Sequence, residues 1–226
     1  MDAALRQAFG SGPCIVADSS AHGLETLPEL MEYAHHGAGI TRVSTLALIG
    51  YSMGCQRVRA LRLAGAQATA YLLIDGTHAS WPPQDWQIAW LRQLADQARR
   101  GRVLFVASHT QQTYTEELTP PETPFASTLT VLRLATGFPL EQAGTVDAPA
   151  VSREGALWVY SFRSAPVDAN AHAQQLSTVL PRLAAQHVAP RLAGAPSPPA
   201  PEGSSPGIAL ALAAIGVGLL LTLDSQ

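Results

Sequence analysis

Short apolar runs alternating with helical patterns constrain the fold of this chain more than any other feature. Five runs read as strands: Cys14–Asp18, Thr45–Ile49, Ala70–Asp75, Arg102–Ala107 and Leu157–Phe162. None shows the strict alternation of a half-exposed strand, and turn residues flank each one, as expected of strands covered on both faces. Helical spacing of apolar residues covers Leu24–His35, Met53–Leu63, Asp85–Arg100, Phe125–Ala135 and Ala169–His187. The alternation predicts an α/β fold. Three layers are expected, with helices on both faces of a mostly parallel sheet of about five strands joined by right-handed crossovers. Such sheets place their sites beyond the C-terminal ends of the strands. The residues just after each run are therefore the ones to read for chemistry.

After the second run comes Gly50-Tyr51-Ser52-Met53-Gly54, a Gly-x-Ser-x-Gly sequence between a strand and a helix. An abrupt strand-to-helix turn forces the serine into a strained backbone and leaves no room for flanking side chains, so glycine stands on both sides. The turn lifts the Ser52 hydroxyl clear of the sheet. It also aims the helix N-terminus, with the Met53 N–H, at any oxyanion forming there. An activated serine needs a base and a group to orient that base. His78, His109 and His172 fall near strand ends, Asp75 closes the third run, and Asp168 opens the last helix.

These motifs carry a resemblance. The stretch Ile15-Val16-Ala17-Asp18-Ser19-Ser20-Ala21-His22-Gly23, then a helix and the Ser52 motif, is similar to the strand, Asp…His-Gly loop, helix and nucleophile elbow of the α/β-hydrolase superfamily. Ala171-His172 and the Leu- and Pro-containing helix after it resemble that superfamily's histidine region. The resemblance extends from Gly12 to about Leu192. It implies a compact serine hydrolase that cleaves an ester or amide through an acyl-enzyme, without metal or organic cofactor.

Carried over to this chain, Ser52 is the nucleophile. His172, beyond the last strand, is the base. The usual place for the acid, after the fourth strand, reads Ser108-His109-Thr110 and holds no carboxylate. Asp75 is therefore the expected acid, as in lipases that take it from the strand after the nucleophile, with Asp168 in reserve. Superfamily members usually have an earlier strand whose turn supplies the second oxyanion donor. Here either the first strand has taken over that role, with the N–H of Ser19 or Ser20 as donor, or the second donor is absent. Tyr51, Trp81 and His109 are the candidate substrate contacts, Trp81 as a wall of an apolar acyl pocket. Thr110 to Thr123 is the candidate lid or substrate rim. A decayed scaffold kept for binding or assembly is the competing reading.

A net charge of −3 and the scattering of 14 arginines, with no lysine, create no basic field, so nucleic acid is not an expected partner. Small ester or acyl molecules are. The hydrolase-like domain is expected over residues 1–189, followed by a Pro/Ser/Gly-rich linker over 190–206. Residues 207–223 form an uncharged apolar run, read as a single-pass C-terminal transmembrane helix. Met1 to Gly10 lacks the apolar core of a signal peptide, and Arg182 and Arg191 lie on the domain side of the run. Together these predict a tail anchor with the catalytic domain in the cytoplasm.

Overall fold

Alternation within the central strands decides which layer each side chain meets. The computed structural model describes Phe9 and residues 14–18, 26–110, 125–164, 168–194, 208–215 and 218–222. In chain order the first elements are β1 (Cys14–Asp18), α1 (Leu27–Ala38), β2 (Val43–Tyr51), α2 (Gly54–Leu63) and β3 (Ala70–Ile74). There follow β4 (Ala79–Ser80), α3 (Asp85–Arg99), β5 (Leu104–His109), β6 (Phe125–Ala126) and α4 (Thr128–Thr136). The strands β7 (Ala150–Glu154) and β8 (Leu157–Ser161) lead into a long final helix.

Four strands, in the order β2-β3-β5-β8, run parallel, and β7 adds an antiparallel edge. Leu46, Leu48, Tyr71, Leu73, Phe105, Ala107, Leu157 and Val159 point to one face and pack with buried residues of α1, α2, α3 and α4. Their neighbours Ala47, Ile49, Leu72, Ile74, Val106 and Tyr160 point to the other face and pack under the final helix. Both faces are covered. That is why these strands read as unbroken apolar runs. The expected α/β class with a mostly parallel sheet is what the structure shows. The edge strand β7 escaped the sequence reading because Ala-Val-Ser-Arg-Glu is largely exposed and carries no apolar run.

Two helices start later than their periodicity suggested, and capping explains both. Thr26 begins α1 with a reciprocal pair of bonds: Glu29 N donates to Thr26 Oγ1, and Thr26 N donates to Glu29 Oε2. Ser127 caps α4 by accepting from Thr130 N, which frees Phe125 and Ala126 to pair with β4. Trp86 and Trp90, one turn apart on α3, differ in burial. Trp90 is buried, but Trp86 is 67 % exposed with the Arg59 guanidinium 5.4 Å from its ring centre.

The final helix is a relay of narrow and wide turns: α5 (Ala169–Gln174), a π turn (Gln175–Val179), α6 (Leu180–Leu183), a second π turn (Ala184–Val188) and α7 (Ala189–Ala193). It therefore runs into the region expected to be linker. Pro181 and Pro190 each stand two residues past a π turn. Neither proline can donate a backbone bond, so a regular α-helix would be broken at both points. The wide turns serve a second end. Gln175, Val179, Leu180, Leu183, Ala184 and Val188 are all buried, and the first and last of them lie 13 positions apart. On a regular α-helix Gln175 and Val188 would point about 140° apart. Wider turns keep them on one face.

The described residues of the apolar C-terminal run are strands, not the expected helix. They form β9 (Ile208–Ile215) and β10 (Gly218–Thr222), and β9 pairs in parallel with β2 from Val43 to Gly50. With β1 the whole sheet reads β1-β10-β9-β2-β3-β5-β8-β7. Uniform apolarity suits a strand buried on both faces as well as it suits a membrane helix, and periodicity does not separate the two. Gly216 and Gly218 punctuate the run in the sequence. Among the described residues, no helix is long and apolar enough to cross a membrane.

Candidate active site

Strand register brings the nucleophile and the acid together. Tyr51, Ile74 and Ser108 occupy one row across β2, β3 and β5, so the next residues on β2 and β3 are Ser52 and Asp75. Ladder bonds continue into this last row: Ser52 N donates to Ile74 O at 3.0 Å, and Asp75 N donates to Ser108 O at 3.1 Å. Both residues have left-handed backbones, with φ of 51° at Ser52 and 45° at Asp75. A non-glycine residue held there stores about 1–3 kcal/mol of strain.

Two glycines make that row possible. A Cβ at Gly50 would stand 2.8 Å from the backbone N and Cα of Cys55, where α2 folds back over its own strand. One at Gly76 would stand 2.0 Å from the Ser52 carbonyl oxygen. Asp75-Gly76 is thus more than a turn. Its glycine lets the β3 end lie directly against the nucleophile. Gly76→Ala is expected to destabilise the fold by about 3 kcal/mol, because its neighbours are backbone atoms that cannot rotate away. Ester turnover should fall with it, and a melting curve with an activity assay reads both. A variant that melts and turns over like the parent would mean the two segments are free to separate.

His172 arrives from α5. Its Nδ1 lies 2.8 Å from Asp75 Oδ2, and its side chain is 18 % exposed against 0 % for Asp75. Thr110 closes the other side of the carboxylate, its N–H donating to Oδ1 at 2.9 Å and its Oγ1 to Oδ2 at 2.6 Å. Burial alone would raise the Asp75 carboxyl. The hydrogen bond and charge of His172 and the two Thr110 donors outweigh burial and hold it below its ordinary value. Asp168 serves the helix instead. Its Oδ1 accepts from the N–H groups of Asn170 and Ala171 and caps α5.

Tyr51, expected to touch substrate, is buried against the histidine. The two rings stack at 4.7 Å between centres and 27° between planes, and the phenol donates to His172 O at 3.0 Å. Met53 follows Ser52 as the capping residue of α2, with its side chain 63 % exposed. Trp81 is 46 % exposed beyond β4. Ser19, and the 111–123 part of the loop expected to rim the site, lie outside the described residues. Sequence reasoning missed Thr110 and the true place of Tyr51. Neither residue type signals a role in supporting an acid or a base.

His109 is fully buried at the end of β5, with Nε2 2.8 Å from Ser161 Oγ. That position removes it from direct contact with a substrate arriving from solvent. Burial lowers its pKa to about 4, and also lowers that of His78 to about 4. His187 is half-buried against Trp158 with Nε2 2.7 Å from the Tyr160 hydroxyl, and burial lowers it to about 4. A histidine lowered in the folded state binds fewer protons there than in the unfolded chain. Its stabilisation is complete above about pH 6.5 and is lost as pH falls towards 4. For His109 alone this amounts to something on the order of 3 kcal/mol. The urea midpoint should therefore fall steeply between pH 6.5 and 4, and less steeply in His109→Gln. An equal slope in the variant would mean that His109 is not held neutral.

Among the described residues, no group of three His, Cys, Asp or Glu side chains could hold a metal ion. Cys55 is buried and free, and burial pushes its thiol up. What the row of side chains can do chemically follows from its own geometry, for no family model, curated protein or solved structure matches this chain.

Proposed function

We propose that this protein is a serine hydrolase acting on an ester or amide bond of a small acyl substrate. The carrying observation is the Asp75–His172 contact, made across 97 positions of sequence beside a serine in a left-handed elbow. Ser52 Oγ attacks the carbonyl carbon while His172 Nε2 takes its proton. Asp75 holds the opposite nitrogen and stabilises the imidazolium that results. The Met53 N–H, at the start of α2, faces the developing oxyanion, and Ser19 or Ser20 is the candidate for the second donor. His172 then passes the proton to the leaving group, and water completes the cycle through the same base.

A fluorophosphonate probe tests the reading, since it labels only an activated serine. Labelling mapped to Ser52 by peptide mass is the expected result. An unlabelled chain would turn the reading to its alternative, a hydrolase scaffold without chemistry that serves in binding or assembly. The C-terminal run decides attachment. A run seated beside β2, as its described residues are, predicts a full chain that stays in solution without detergent. A chain that pellets with membranes and resists carbonate extraction would instead restore the tail anchor expected from the run's apolarity.

A further inference from the structure

The usual place for a hydrolase acid, the end of β5, holds Thr110, and both donors of Thr110 are directed at the acid that stands one strand away. We propose that the Thr110 hydroxyl is a positioning group for the Asp75–His172 pair, fixing the carboxylate plane so that Oδ2 stays aimed at His172. The proposal rests on the serine hydrolase reading and adds a residue to its machinery.

Asp75 Oδ2 accepts from two sides, Thr110 Oγ1 at 2.6 Å and His172 Nδ1 at 2.8 Å. Oδ1 is held by the Thr110 N–H. One residue thus grips both carboxylate oxygens. Any rotation about the Cβ–Cγ bond that swings Oδ2 from the histidine breaks both grips together. Asp75 and Thr110 are almost wholly buried, so water is a poor substitute for either donor. The backbone bond survives any side-chain change, but it grips only Oδ1. The hydroxyl restrains the oxygen that faces the base. This arrangement separates two roles that one strand end usually combines: β3 supplies the charge, and β5 supplies the donors that orient it.

Thr110→Val keeps the shape and the N–H but removes the hydroxyl, and Thr110→Ser restores it. On a short p-nitrophenyl ester, Thr110→Val should lower kcat about 10- to 100-fold with KM unchanged, and Thr110→Ser should stay within about threefold of the parent. The low-field NMR signal of the His172 Nδ1 proton should shift or broaden in the valine variant and return in the serine variant. A valine variant that melts earlier but keeps both kcat and that signal would reduce Thr110 to a structural role and overturn the proposal. Fluorophosphonate labelling of the parent separates the two layers of argument. A labelled parent with an indifferent Thr110→Val sinks only the positioning role; an unlabelled parent sinks the hydrolase reading itself.

Discussion

Ser52→Ala is expected to lower ester turnover by about 10⁴-fold or more while leaving the circular dichroism spectrum unchanged. The loss follows from the chemistry, since the hydroxyl removed is the one in the left-handed elbow beside the Asp75–His172 pair. Stability should respond differently to the choice of substituent. Alanine inherits the positive φ of Ser52 and the strain that accompanies it. Glycine has no Cβ to clash, so Ser52→Gly should be as inactive as the alanine variant yet about 1 kcal/mol more stable. Denaturant midpoints for both variants, beside their turnover numbers, check the pair of expectations. Appreciable turnover in either variant would remove Ser52 from the mechanism.

Asp75→Asn should cost about 10³–10⁴-fold in kcat with little change in KM. Thr110 dictates the outcome. Its N–H needs an acceptor at the Oδ1 position, which places the amide oxygen there and the amide nitrogen opposite His172. That nitrogen can only donate. His172 must then accept at Nδ1 and carry its proton on Nε2, where it cannot receive one from Ser52. The fold has room for the swap, because the Thr110 hydroxyl can rotate to accept rather than donate. Kinetics on a soluble ester read the effect, and an active Asp75→Asn enzyme would move the acid elsewhere.

Much of this site is legible in the sequence, for identifiable reasons. A Gly-x-Ser-x-Gly between strand and helix carries its backbone geometry in its glycines, and the structure has Ser52 at positive φ as that requires. Asp75 is legible from its place at a strand end, since parallel register brings such ends into one row, and His172 from the resemblance, as the histidine beyond the last strand. Positioning roles are not legible. Tyr51 reads as a substrate contact because it adjoins the nucleophile, but the pleat sends its ring to the opposite face, onto His172. Thr110 reads as a loop residue because a threonine near a strand end is ordinary. The C-terminal run is ambiguous for another reason: its composition is compatible with two solvents, a bilayer and the interior of a sheet. The described residues Ile208–Ile215 pair with β2.

The wide turns of the last helix tie the catalytic base to a distant anchor. His172 stands one turn before the first π segment, and Val188 seats the far end of the helix in the core. Because a π turn is in effect one extra residue, deleting one residue within Gln175–Val179 would rewind the helix by about 100° between those two points. Either the valine leaves the core or the imidazole leaves Asp75. An engineer who regularises this helix in pursuit of thermostability would thus detune the base, and natural variants of the chain are free to lengthen or shorten there only in steps that preserve the phase.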